Sequence, residues 1–508
     1  MKWILLIVPV VFFLASCVKG PRHGRHADDS TFYAEPHRPQ YHFSPEKNWT
    51  NDPNGLVYYE GEYHLFYQYN PYGDTWGHMS WGHAVSKDLL TWEHLPLAIA
   101  EYENPAHDST MIFSGTVVVD KNNSSGLCDG KDCLVAIYTS NVHKDNQGLM
   151  QHQSLAYSND KGRTWTRYEK NPILDIQRKD FRDPKVFWYE PARQWIMALV
   201  IPDLYRVRFY SSSNLISWKQ TGEFGPLGDT TRIWECPDLY PVNIENEPGK
   251  QKWVLSLSGG HPAGPAFVGM QYFIGEFDGA TFVPDDPKQP ARYVDYGKDF
   301  YAGIVVNNNP GTDPVMIGWV NNWTYANQVP TSPWRGAMSL PRVLSLRQTS
   351  GGLRLAQRPV AATYALHQKE IIDFTFPHTK SSHLQIQLFP KASADATIHI
   401  LKSDSSETLI TYDPIHQIVA LDRTHSGLIG FNKDFPSIER AEVAPIDGKL
   451  SFDIFIDQSI IEVFINDGQV VFTEQVFSPS KAVSLFTTSD TGAEFNRLGW
   501  GMKRTWRH

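Results

Sequence analysis

Ser158-Asn159-Asp160-Lys161-Gly162-Arg163-Thr164-Trp165 follows a run of strand-forming residues and ends on an aromatic. The same arrangement recurs at Ser86-Lys87-Asp88-Leu89-Leu90-Thr91-Trp92, at Ser213-Asn214-Leu215-Ile216-Ser217-Trp218 and at Phe277-Asp278-Gly279-Ala280-Thr281-Phe282. The closing aromatics stand 73, 53 and 64 residues apart, long enough for a four-stranded unit between successive turns. Around these turns, residues 39–345 are short aromatic and β-branched runs broken by Gly, Asn, Asp and Pro, with no long amphipathic helix. That pattern is all-β. Leu56–Tyr59, Glu60-Gly61 and Glu62–Tyr69 read as one tight hairpin. Repeated four-stranded units protect their edges by closing radially, which predicts propeller blades. Four turns and a last segment holding Ile317-Gly318-Trp319 give five blades over 39–345.

Ser350-Gly351-Gly352 lies in a turn-rich stretch, read as a linker over 346–365. Beyond it the composition shifts. Leu384–Leu388, Thr397–Leu401, Phe452–Ile456 and Ile461–Ile465 alternate with period two, and Asn466-Asp467-Gly468 is a hairpin turn, so 366–508 is expected to be a β-sandwich.

Forty-six Lys and Arg against fifty-five Asp and Glu give a net charge of −9 without a long single-sign run, which offers no electrostatic case for nucleic acid. Sixteen Trp, 23 Tyr and 27 Phe supply many flat apolar faces, useful to a core or to a sugar ring. Ile4 to Leu14 is too short to span a membrane and follows a single Lys, so residues 1–16 read as an export signal. Leu14-Ala15-Ser16-Cys17 resembles the bacterial lipobox, which implies a chain starting at a lipid-bearing Cys17 and held to the cell envelope, with 17–38 as a polar tether. In an oxidising compartment Cys128 and Cys133 can close a small loop as a disulfide, leaving Cys236 unpaired. No Cys or His spacing suggests a metal site; His78, His83 and His107 read as local hydrogen-bonding residues.

Three acidic groups begin or precede strands: Asn51-Asp52-Pro53-Asn54-Gly55, Arg182-Asp183-Pro184 and Trp234-Glu235-Cys236. In a propeller such positions converge near the axis. Several carboxyl groups around one pocket are what glycosidic cleavage requires, one to protonate the leaving oxygen and one to attack carbon or activate water. Arg182 beside Asp183 is expected to keep that carboxylate ionised, which makes Asp183 the poorer proton donor.

These motifs together resemble glycoside hydrolase family 32, the invertases, inulinases and levanases. Trp49-Thr50-Asn51-Asp52-Pro53-Asn54-Gly55, Arg182-Asp183-Pro184 and Glu235-Cys236 carry the likeness, supported by Phe66–Pro71, Trp81–Ala84, Phe113-Ser114-Gly115 and Glu462-Val463-Phe464. The resemblance implies a five-bladed propeller with a C-terminal sandwich, no cofactor, and retaining hydrolysis of β-fructosidic bonds in levan or inulin. It implies Asp52 as nucleophile, Glu235 as acid/base and Asp183 as a stabiliser holding fructose hydroxyls. Asn51, Gln68, Ser114 and Arg182 are then hydrogen-bonding residues for sugar, Trp76 and Phe113 apolar walls, and Trp319 a further wall, unless Trp323 faces inward instead. Thr50 stands where many relatives carry Met, a hint of an altered subsite, as is the unusual Ala106-His107-Asp108-Ser109-Thr110. Release of terminal fructose is the leading expectation. Internal cleavage of levan and a non-catalytic surface sugar-binding lipoprotein are the alternatives.

Overall fold

The structure, a computed structural model, describes residues 32–104, 107–144, 147–265, 267–371, 380–391, 395–479, 484–489 and 492–506. Cys17, the export signal and most of the tether lie outside them, as does Ala106.

Five antiparallel sheets stand around one axis. Their innermost strands are Asn48–Tyr59, His107–Val119, Arg182–Tyr189, Glu235–Asn243 and Tyr301–Val305. The ring closes where Trp334–Arg335 pairs in parallel with Asn48 and Trp49, and where Asn307 bridges Val57. The recurrent turns explain themselves chemically. Asp88 Oδ1 accepts the Leu90 and Thr91 N–H groups, Asn214 those of Ile216 and Ser217, and Asp278 those of Ala280 and Thr281. In three of the four, the closing indole donates to the carbonyl three residues back: Trp92 to Leu89, Trp165 to Gly162 and Trp218 to Leu215, all at 3.0–3.1 Å. A carboxylate or amide that satisfies turn N–H groups stabilises the turn without the strands having to bend.

Three boundaries differ from the expectation. Arg342–Thr349 and Gly352–Pro359 form the outer hairpin of the fifth blade, so Ser350-Gly351-Gly352 is a turn inside the propeller and not a linker. The join is the short stretch around the helical turn Ala361–Tyr364. Residues 32–38, read as tether, are already packed: the Tyr33 ring stacks on Trp506 at 4.2 Å, and buried Arg38 donates to the carbonyls of Pro45 and Glu46. The last seven residues of the expected tether thus bury one aromatic, Tyr33, and one paired cation, Arg38.

The sandwich has a six-stranded sheet, with Ser381–Phe389 and Leu450–Asp457 at its centre, and a five-stranded sheet running from Ile438–Glu442 to Ser484–Ser489. Its interior is the aliphatic set the period-two pattern announced, including Leu384, Ile386, Ile398, Ile454 and Val463. The contact with the propeller is different in kind. Glu462, which reads by pattern as part of a half-buried strand, is fully buried and accepts from His42 Nε2 at 2.9 Å, Leu340 N at 2.6 Å and Arg342 Nε at 3.1 Å. Arg342 also reaches Asp295 at 2.9 Å, and Arg423 of the sandwich pairs with Asp299 of the propeller and with Glu474. The two domains are joined through buried, mutually satisfied charges, and removing one partner of such a pair typically costs about 3–5 kcal/mol.

His42 lies between Asp457 Oδ2 and Glu462 Oε1, each at 2.9 Å. Burial opposes its charge, but hydrogen bonds to both carboxylates and their negative charge outweigh it and raise the imidazole to about 9. An unfolded histidine titrates near about 6.5. The raised folded value therefore contributes stability that is fully present below about pH 6.5 and is lost as pH rises through about 9, on the order of 3 kcal/mol. Thermal melts across that window should show Tm falling with pH, and His42→Gln should flatten the fall. An unchanged slope in the variant would contradict this role.

Candidate active site

Each innermost strand is irregular close to one mouth of the propeller. Register shifts interrupt pairing between Thr50 and Pro53, Ile112 and Gly115, Arg182 and Lys185, Glu235 and Asp238, and Tyr301 and Ile304. A bulge frees backbone from the ladder and re-aims side chains. In three successive blades the second strand residue is left-handed: Asp183 at φ 63°, Cys236 at 47° and Ala302 at 52°. Such backbone costs about 1–3 kcal/mol and persists only when surroundings hold it. Here each displaced N–H has a dedicated acceptor. Asp183 N donates to Thr139 Oγ1 at 3.0 Å, Cys236 N to the Asp183 carboxylate at 3.0 Å, and Ala302 N to Ser258 Oγ at 2.9 Å. Behind them, buried Gln151 and Gln153 grip Phe181 by its N–H and carbonyl, at 2.9 and 2.8 Å.

The bulges bring three carboxyl groups to one cavity of about 520 Å³. Asp52 accepts from Ser114 Oγ at 2.6 Å and from Asn51 Nδ2 at 3.1 Å, and the Cys236 thiol points at it from 3.5 Å. Glu235 is held from both sides, by Arg182 Nη2 and Nε at 3.0 and 3.2 Å and by the Tyr301 hydroxyl at 2.5 Å. Asp52, Asp183, Arg182 and Ser114 are each less than a tenth exposed.

Burial is the main influence on the acids. It pushes Asp52 upward, with the Ser114 hydrogen bond working against it and the Glu235 charge with it. It raises Asp183 to about 7, opposed by Arg182 and reinforced by the charges of Glu235 and Asp52. The expectation that Arg182 holds Asp183 ionised is therefore corrected. The guanidinium turns its hydrogen bonds to Glu235, Asp180 and Gln151 and comes only to 3.8 Å from Asp183. Burial also pushes the Cys236 thiol well up, which leaves it a neutral donor and no nucleophile.

Nine of the ten sequence-nominated catalytic and sugar-binding residues line this cavity: Asn51, Asp52, Gln68, Trp76, Phe113, Ser114, Arg182, Asp183 and Glu235. Gln68 is buried with its Nε2 unpartnered, a donor ready for a hydroxyl. Trp319 is the exception. It is fully buried, 4.9 Å from Trp323, and Trp323 is the indole that faces the cavity. Gly336 shows how tightly Trp319 is packed: at φ 88°, a Cβ there would lie 2.1 Å from the Thr50 carbonyl and 3.0 Å from Trp319 Nε1. Thr50 is likewise enclosed, its hydroxyl donating to the Gln68 carbonyl at 3.0 Å, so it does not itself widen a subsite. Cys128 and Cys133 are disulfide-bonded and Cys236 is free. Among the described residues no cluster of three or more His, Cys, Asp or Glu side chains could hold a metal ion.

Sequence reasoning missed Tyr301, Thr139 and Gln151. Tyr301 had a usable signal, because it opens the fifth innermost strand in the register that Arg182 and Glu235 occupy in the third and fourth. Thr139 and Gln151 belong to the second and third strands of their blade, where nothing in the local sequence distinguishes a hydroxyl or amide aimed at a neighbouring bulge.

Residues 42–359 match the family described as glycosyl hydrolases family 32, N-terminal domain, and residues 345–498 match its C-terminal counterpart. A levanase of Bacillus subtilis is 44% identical over 485 residues, covering 91% of this chain and 70% of that protein. An extracellular exo-inulinase of Aspergillus awamori is 39% identical over 520 residues, covering 93% and 96%. The crystal structure of exo-inulinase from Aspergillus awamori superposes with a TM-score of 0.88 at 37% identity, covering 93% of this chain and all of that one. A β-fructofuranosidase from Schwanniomyces occidentalis, complexed with fructosyl-erythritol, gives 0.81 at 34%, covering 94% and 99%. With both of its domains matched and its carboxyl groups gathered at the propeller mouth, the chain belongs to glycoside hydrolase family 32 and is a glycoside hydrolase.

Proposed function

We propose that the enzyme is an exo-acting fructan β-fructosidase that releases fructose from levan- or inulin-type chains with retention of configuration. One observation carries this reading: a buried carboxylate, Asp52, with hydrogen-bond donors fixing both oxygens, shares one cavity with a second carboxyl group, Glu235, that Arg182 and Tyr301 orient. An acid and a nucleophile in separate environments are what a double displacement needs.

In the first step an Asp52 oxygen bonds to C2 of the terminal fructosyl unit as Glu235 gives its proton to the departing glycosidic oxygen. In the second, Glu235 takes a proton from water, whose oxygen bonds to C2 as the Asp52 ester breaks. Asp183 and Arg182 lie where they can bind fructose hydroxyls, and the surrounding negative charge favours the cationic transition state. The exo reading is supported by the likeness over both domains to the exo-inulinase of Aspergillus awamori. Below the carboxyl groups Lys185 pairs with fully buried Asp238 at 3.1 Å, and Asn307 donates to three neighbours further along the axis, so the centre of the ring is filled. The cavity volume suits a few sugar units.

The lipobox-like Leu14-Ala15-Ser16-Cys17 supports export to a bacterial cell envelope with lipid on Cys17, anchoring the hydrolase at the outer membrane. Labelled palmitate should enter the wild-type protein and not Cys17→Ala, whose activity should move to the soluble fraction. Activity still bound to membranes in that variant would contradict the anchor.

For the activity itself, products of brief digestion of levan and of inulin decide. Fructose should be the first and dominant product from both, with the polymer shortening gradually. Oligosaccharides appearing before fructose would establish internal cleavage instead.

A further inference from the structure

The opposite mouth of the propeller carries a second groove that the hydrolytic site does not use. The strand Arg182–Tyr189 begins at the catalytic cavity, and five residues beyond Asp183, roughly 17 Å along the strand, it presents Trp188, 38% exposed. The indole is held in place. Its Nε1 donates to Glu190 at 2.5 Å, and its ring meets Trp195 edge to face with centroids 5.1 Å apart. Trp195 is itself anchored to Ser124 at 2.9 Å. Around these rings lies a cavity of about 620 Å³, and Asn307, pinned to Thr116, Val117 and Val186, separates it from the catalytic side.

The lining selects a chemistry. A large ring held rigid at an exposed position provides a flat apolar face with little conformational entropy left to lose on binding. Beside it stand Asn122, Lys121 and Arg193, all exposed and bearing hydrogen-bond donors. The lining holds two cations, Lys121 and Arg193, and two carboxylates, Asp120 and Glu190, so the groove has no net formal charge and is unsuited to a polyanion. A flat apolar face beside hydrogen-bonding groups whose charges balance matches a neutral polyhydroxylated ring.

We propose that this groove is a second carbohydrate site, which holds internal stretches of the same fructan whose ends are hydrolysed at the other mouth. It rests on the fructan reading above. Its effect is on polymers: a chain held at Trp188 keeps its other ends near the enzyme and raises their effective concentration, which a short oligosaccharide cannot exploit.

The full chain can be run through native gels containing inulin or levan to read binding, while hydrolysis of the trisaccharide 1-kestose reads the catalytic cavity separately. Trp188→Ala should be retarded less and show a KM for the polymer raised about threefold or more, with kcat and KM for 1-kestose unchanged. Trp188→Tyr, which keeps a ring face, should recover most of the retardation. Equal retardation of wild type and Trp188→Ala overturns the site, as a groove serving a protein partner would also produce. Equal losses on polymer and trisaccharide that Trp188→Tyr repairs no better than Trp188→Ala overturn it too. Trp188-dependent retardation in a wild-type protein that releases no fructose would support the groove and overturn only the hydrolytic reading.

Discussion

The hydrogen bond from the Cys236 backbone to the Asp183 carboxylate, 3.0 Å long, ties two blades together at the point where both leave regular pairing. Cys236 is left-handed there, and that twist sets the direction of Glu235 just before it and of the thiol aimed at Asp52. Asp183 is left-handed as well and depends on Thr139 of the preceding blade. The fifth blade repeats the device with Ala302 and Ser258, which fixes Tyr301 against Glu235. The chemistry therefore rests on a relay of backbone caps passed from blade to blade. A propeller suits such a relay because its innermost strands converge from distant parts of the chain.

Such a relay needs a rigid ring, and the domain interface contributes to it. Arg342, at the start of the fifth blade's outer hairpin, is locked by Asp295 and Glu462, while Asp299, immediately before Phe300 and Tyr301, is locked by Arg423. The sandwich thus clamps the segment leading into the strand that carries Tyr301. Buried charges of this sort add little net stability, but they tolerate one geometry and penalise others. That is a reason for the sandwich to be present even though none of its described residues lines the catalytic cavity.

Much of this was legible in the sequence. The four aromatic-ended turns announced blades because each turn's polar residue, and in three of them the indole, acts within a few residues of itself, and local chemistry leaves a local signature. The alternating strands of the second domain were equally plain. Boundaries were less so: Ser350-Gly351-Gly352 has the composition of a linker, and only pairing between Arg342–Thr349 and Gly352–Pro359 reveals a hairpin. The acids were visible through motif likeness, but their environments were not. Arg182 is adjacent to Asp183 in sequence yet bonds Glu235, because Asp183 itself is left-handed and turns its side chain away from that of Arg182. Trp319 and Trp323 are four residues apart and chemically identical, so only packing could assign one to the cavity and the other to the core. Glu462 looked like an ordinary strand residue because its partners, His42 and Arg342, are 420 and 120 residues away.

The central claim is that Asp52 is the nucleophile and Glu235 the proton donor in a double displacement. Azide rescue distinguishes the two roles directly, through the configuration of the adduct formed from an activated aryl β-D-fructofuranoside. With Asp52→Ala, azide must occupy the vacated nucleophile position and attack C2 from that side, so the account predicts the α-fructosyl azide. The β-fructosyl azide from that variant would mean that the covalent intermediate still forms without Asp52, and would contradict the assignment.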